Sequence, residues 1–243
     1  MHALTAASSR SSRAVYARAS LVVRSGGDLD EWLGGAIDSA GTDAPVLDLL
    51  ERAGPSEGED PHWWQDPIRA EAAVTAIGAA LAKADPASAS AYRANAERSA
   101  RRLRALDAAV RRCIDRIPAD ERTLVTTHDA LGYYARRYGL RVVGTVIPSL
   151  STQAQASAGD LAALVDTIRR ERVKAIFAES SVNASVEDAI AQETGARVGR
   201  PLWADSLGPA GSSGATYEGS IRANTSAIVE GLTGGGRTCS FPR

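Results

Sequence analysis

The chain has 243 residues, 44% of them hydrophobic, and its 28 basic and 29 acidic side chains leave a formal charge of −1. That length accommodates one large domain or two lobes with cores of their own, and the near-neutral balance argues against nucleic acid as a partner. No apolar run reaches the roughly 18 residues of a membrane span, and residues 1–23, interrupted by Arg10, Arg13 and Arg18, lack the continuous apolar segment of a signal peptide.

A polar, Ala-rich helix is predicted over 9–19, followed by a short strand at Leu21-Val22-Val23 and a turn through 24–27. Leu29, Trp32, Leu33 and Ile37 recur at helical spacing, so a second helix is predicted to stop near Gly41. Val46 to Leu50 reads as a second buried strand. The loop 54–60, rich in Gly, Ser, Glu and Asp, leads into Asp60-Pro61-His62-Trp63-Trp64-Gln65-Asp66-Pro67. Each proline fixes its own φ and drives the residue before it towards extended geometry, so His62 sits on a stiff, non-helical approach. Pro67 suits the first turn of the helix that follows. His62 is either a loop histidine satisfied on a Trp-rich patch or a metal ligand, imidazole being the commonest protein ligand to metals.

Ile68, Ala72, Val74, Ile77 and Leu81 carry a helix to Lys83, and Asp85 is placed to cap a long helix from Pro86 to about Arg116. At ~1.5 Å per residue that helix is about 45 Å long. Leu103, Leu106, Val110, Cys113 and Ile117 form its apolar side, and Glu97/Arg101, Asp107/Arg111 and Arg111/Asp115 are predicted i,i+4 ion pairs on the remainder. The interleaved acids make that surface a solvated face rather than a nucleic-acid surface. A long charged helix between two α/β segments reads as a rigid strut.

Beyond it strands and helices alternate. Strands are predicted at 124–127, 142–147, 173–178 and 198–203, and helices at 129–138, 157–170, 186–194 and 217–232, the pattern of βαβ units around a parallel sheet. Gly234-Gly235-Gly236 reads as a loose terminus. Cys113 and Cys239 form either one disulfide or two buried thiols; export would favour a bridge pinning the tail. Neither belongs to a CxxC pair, which argues against a thiolate metal site.

There are three histidines. His128 follows Thr126-Thr127 at the end of a predicted strand, and Asp205 follows Leu202-Trp203-Ala204 at the end of another. Ligands of parallel sheets bind beyond the carboxyl ends of strands, so His62, His128 and Asp205 are the candidate metal ligands. Imidazoles with one carboxylate suit Zn²⁺, whereas an all-oxygen set would suit Mn²⁺ or Mg²⁺. Glu179 also ends a strand, where it either orients a ligand histidine or caps the next turn. An open site of three donors is also what a zinc hydrolase needs, so a metal-dependent hydrolase is the alternative function. Against it, no HExxH motif and no obvious general base are present.

The segment Asp60 to Pro67 resembles the DPHxWxDP motif of the zinc/manganese solute-binding proteins of ABC importers, the cluster A-I or adhesin-like family. Thr127-His128-Asp129-Ala130-Leu131-Gly132-Tyr133-Tyr134 resembles its second signature, Phe177 to Asn183 its third and Asp205 to Pro209 its fourth, in the family's order. The resemblance implies an α/β fold of two lobes, each a parallel sheet flanked by helices, joined by one long rigid helix. The expected division is a lobe over 1–85, the helix over 86–117 and a lobe over 118–243, with the metal between the lobes. It implies His62, His128 and Asp205 as ligands and no enzymatic activity. It favours Zn²⁺ over Mn²⁺, because manganese-type members carry a Glu where His128 stands. It further implies an extracytoplasmic monomer that delivers metal to a membrane permease. The family places an earlier ligand in a Pro-His-Asp-Tyr-like segment; counting back lands on Leu4, with His2 two residues away and outside any such motif. The family's first strands, export signal and lipobox are also unmatched, so the expectation is an N-terminally truncated, incomplete first lobe. The adhesive role in the family's name has no independent support in these residues.

Overall fold

A computed structural model describes residues 17–55 and 58–241, so His2 and most of the helix predicted over 9–19 lie outside the described residues. The chain divides into two units, Met1–Trp63 with Ile68–Arg102, and Trp64–Pro67 with Leu103–Arg243.

In the first unit β1 (Val22–Arg24) pairs in parallel with β2 (Val46–Asp48), Val22 opposite Val46 and Arg24 opposite Asp48. The crossover contains α1 (Trp32–Ala40), which stops at Gly41, whose φ of 61° is the left-handed cap that glycine supplies without strain. β2 is shorter than predicted. The Asp48 carboxylate accepts the Glu51 N–H at 3.3 Å, an N-cap that turns Leu49 and Leu50 into the short helix α2 (Leu49–Arg52). Arg24 closes on Asp48 at 2.7 Å and ties the two strand ends together.

Most of α3 (Pro67–Ala84) and the first half of α4 (Ala89–Ile114) complete this unit. The predicted helix start at Pro86 is a 3-10 turn, Pro86–Ser88, and α4 begins after it. The two helices approach closely at Gly78, where a Cβ would lie 2.5 Å from that of Ala96.

The second unit is built on a four-stranded, all-parallel sheet of β3 (Thr123–Thr126), β4 (Arg141–Thr145), β5 (Ala175–Phe177) and β6 (Arg197–Val198), in the order β4-β3-β5-β6. It is flanked by α5 (Gly132–Tyr138), α6 (Ala158–Glu171), α7 (Ser185–Thr194) and α8 (Tyr217–Leu232). Val125, Leu164, Val165, Ile168, Ile176 and Ile190 form one core cluster. A capping box between Ser157 and Asp160 sets the start of α6. The predicted apolar side of the long helix is buried: Leu103, Leu106, Val110, Cys113 and Ile117 all lie in the core.

Several details depart from the sequence reading. Asp107 does not decorate a solvated face; it is buried and takes a two-pronged hydrogen bond from the Arg137 guanidinium at 2.8 and 2.9 Å, with a third from the Tyr138 hydroxyl at 3.0 Å. α5 starts at Gly132 rather than 129, because the Thr126 hydroxyl and the Ala130 N–H both bond to the His128 carbonyl while the Asp129 N–H bonds to Ser149, leaving these groups unable to open a helix. β6 ends at Val198, and only Leu202 rejoins the sheet, as an isolated bridge to Glu179; Pro201, with no N–H, stands between. Gly234 to Gly236 is an ordered turn, with Gly235 donating to the Glu230 carbonyl at 2.8 Å and Gly236 to that of Thr233 at 3.1 Å. Among the described residues no helix is long and apolar enough to cross a membrane.

Candidate metal centre

In the first unit His62 follows Pro61 and opens into a 3-10 turn, Trp63–Gln65. Asp60 holds it twice: one carboxylate oxygen accepts the His62 backbone N–H at 2.9 Å and lies 2.7 Å from Nδ1 of its ring. The imidazole is only 1% exposed. With Nδ1 committed to Asp60, Nε2 is the nitrogen that can coordinate a metal. The Trp63 indole donates to the Ser25 carbonyl at 3.1 Å and fixes the turn to the loop after β1.

In the second unit His128 stands just past β3 and is fully buried. Its Nδ1 is hydrogen-bonded to Glu179, which follows β5, and its Nε2 lies 3.3 Å from the Asp205 carboxylate. Glu179 is itself anchored: its backbone N–H donates to the Thr127 hydroxyl at 3.1 Å, and that hydroxyl donates to the buried Glu187 at 2.6 Å. Both ring nitrogens of His128 therefore face carboxylates. Burial alone would lower its pKa, but hydrogen bonds to Asp205 and then Glu179 outweigh it and raise the pKa to about 9.

Asp205 rides on a loop rather than a strand, and that loop is fastened from three sides. The Ala204 carbonyl accepts from the Trp64 indole at 3.1 Å and the Gln65 amide at 2.9 Å. Asn224 of α8 brackets Trp203, accepting its N–H at 2.8 Å and donating to its carbonyl at 2.7 Å. The Trp203 ring lies in a slot lined by glycine: a Cβ on Gly214 would come within 2.3 Å of it, and one on Gly208 within 2.6 Å. The Gly208 N–H closes that slot on the Gly214 carbonyl at 2.8 Å.

Of the residues singled out from sequence, the second unit brings together His128, Asp205 and Glu179, while His62 belongs to the first unit. Sequence reasoning missed Asp60, although its place two residues before a constrained histidine is a usable signal. Thr127, Glu187 and Asn224 were missed as well, and their roles depend on contacts between elements far apart in the chain.

A buried imidazole in each unit, its Nδ1 held by a carboxylate so that Nε2 can coordinate, is the donor chemistry of proteins that hold a divalent transition metal. Comparisons with known proteins agree. The family model for zinc-uptake complex component A, periplasmic (ZnuA), matches residues 4–231. The iron-binding protein YfeA of Yersinia pestis is 31% identical over 221 residues, covering 88% of this chain and 70% of that protein. The manganese-binding lipoprotein MntA of Bacillus subtilis is 38% identical over 186 residues, covering 74% and 60% respectively. The solved structure of the periplasmic zinc-binding protein TroA of Treponema pallidum superposes with a TM-score of 0.83 at 30% identity, over 96% of this chain and 86% of that one. The chain belongs to the ZnuA family, whose members are solute-binding proteins of metal ABC transporters and not enzymes.

Proposed function

We propose that this chain captures one divalent transition-metal ion, Zn²⁺, through His62, His128 and Asp205, and presents it outside the cytoplasm to the permease of an ABC importer. The observation that carries the reading is the state of His128, with Nδ1 held by Glu179 and Nε2 aimed at the Asp205 carboxylate 3.3 Å away. In such an arrangement the metal replaces the proton on Nε2 and draws Asp205 in as a second donor, while Glu179 keeps the ring in the required tautomer and raises its basicity. His62 is supported as a further donor by its own carboxylate clamp, which leaves Nε2 as the nitrogen that can coordinate.

Relatives are named for iron, manganese and zinc, so the assignment of Zn²⁺ rests on the donor set. Imidazole nitrogens with one carboxylate match the borderline-soft Zn²⁺ better than the oxygen-preferring Mn²⁺. Simple competition in the test tube cannot check this, because Zn²⁺ outbinds Mn²⁺ at almost any site of nitrogen and oxygen donors. The decisive measurement is the metal that accompanies the chain isolated from the cells that make it, by elemental mass spectrometry. Zinc at one ion per chain is expected, and manganese or iron in its place overturns the assignment.

Glu179→Gln tests the support behind the ligand. It leaves an amide where a carboxylate faced Nδ1, and a loss of ~10–100-fold in zinc affinity is expected. An unchanged affinity in chelator competition would show that Glu179 does not orient His128.

A further inference from the structure

We propose that Cys113 and Cys239 are the two halves of a reversible disulfide that clips the C-terminal tail onto the end of α4. Cys113 is buried in the last turn of α4 and Cys239 is half-buried in the tail. The two thiols are close enough for Cys113 to push the Cys239 thiol up, although they stand at opposite ends of the second unit's sequence.

The tail is already held at that spot by other bonds. The Arg116 guanidinium, one turn beyond Cys113, donates to the Thr238 carbonyl at 2.6 Å, and the Arg237 guanidinium donates back to the Arg116 carbonyl. The residues just before Cys239 are thus fastened to the helix end that carries Cys113. On the far side, the Arg222 guanidinium stands over the Phe241 ring, 5.8 Å from its centre. Gly234 and Gly235, with φ of 63° and 82°, turn the chain back after α8. Most of the conformational cost of bringing the sulfurs together has therefore been met by non-covalent contacts.

The chemistry is thiol–disulfide exchange with a small disulfide as oxidant. Cys239, the more accessible sulfur, loses its proton to solvent and attacks one sulfur of the oxidant. The oxidant's S–S bond breaks and releases one thiolate. The Cys113 thiolate then attacks the Cys239 sulfur of the mixed disulfide and expels the second. Two cysteine thiols are oxidised and one disulfide is reduced to two thiols. Burial and the neighbouring Cys113 both raise the Cys239 thiol, so exchange quickens as pH rises.

The test uses the full chain, purified reduced and then incubated with oxidised glutathione. Trypsin should release Cys113–Arg116 joined to Thr238–Arg243, and the intact mass should fall by two hydrogen atoms. Because the bridge closes a very long loop, the midpoint of thermal unfolding should rise by on the order of 10 °C. Dithiothreitol should reverse that rise, and Cys239→Ser should lack it under either condition. Glutathione retained on Cys239 while Cys113 stays alkylatable after denaturation, or a bridge between two chains, would overturn the proposal.

Discussion

Replacing His128 with alanine is expected to weaken zinc binding by ~10²–10³-fold. Zinc sites gather roughly 10–16 kcal/mol across their donors, so one donor accounts for about 3 kcal/mol, and each 1.4 kcal/mol is about tenfold in affinity. His62→Ala should lose a comparable factor if that residue completes the same site. The readout is titration of each variant against wild type with a chelator as competitor, and equal affinity for wild type and His128→Ala would sink the assignment. The substitution has a second effect that must be separated from the first. It leaves Glu179, only 4% exposed, without its imidazole, and removing one member of a buried pair commonly costs ~3–5 kcal/mol of stability. His128→Gln, which keeps an amide donor near Glu179, should recover most of that stability but not the zinc affinity. Far-ultraviolet circular dichroism of the metal-free variants tells the two losses apart.

Zinc affinity should climb with pH well past the range where an ordinary histidine is already neutral. The unperturbed imidazole pKa near 6.5 would place the loss of affinity below that value, but in the metal-free protein the pKa of His128 is raised to about 9. Between those values the metal must displace a proton held between Asp205 and Glu179. Affinity should therefore fall roughly tenfold for each pH unit below about 9. The stability of the metal-free chain runs the other way. A histidine whose folded pKa exceeds its unfolded one contributes stability that is fully present below 6.5 and is lost as pH rises through about 9. Affinity and metal-free stability should thus change in opposite directions across one window, as measured by chelator competition and thermal melts at matched pH. An affinity that is level from pH 7 to pH 9 would show that His128 is not the proton-bearing ligand.

The alternating strands and helices of the second unit could be read directly from the chain, because fully buried parallel strands such as Leu124-Val125 and Ile176-Phe177 are unbroken apolar runs. Element ends could not. Three misplaced boundaries are decided by a local group whose effect is not evident from periodicity: the Asp48 carboxylate on Glu51, the Thr126 hydroxyl on His128, the missing N–H of Pro201. The same division holds at the candidate site. His62, His128 and Asp205 stand out by residue type and by their places beside prolines or strand ends. The groups that aim them do not, since Asn224 is an unremarkable helix residue until α8 packs beneath Trp203. Asp107 repeats the lesson: its helical spacing from Arg111 is legible and that charge does act on it, but its burial and its hydrogen bonds to Arg137 and Tyr138 are not.

The glycine slot around Trp203 has an optical consequence. Its indole N–H bonds to the Ser213 hydroxyl at 3.4 Å, and its ring is wedged against Gly208 and Gly214 on the loop that carries Asp205. Indole emission is sensitive to the polarity and rigidity of its surroundings. Any movement of Asp205 onto a metal must pull on the peptide two residues from that ring, so the protein carries its own fluorophore within the part that would respond to its cargo. With Trp32 largely exposed and Trp63 bonded into the first unit, the signal of Trp203 can be isolated by conservative replacement of the other three tryptophans.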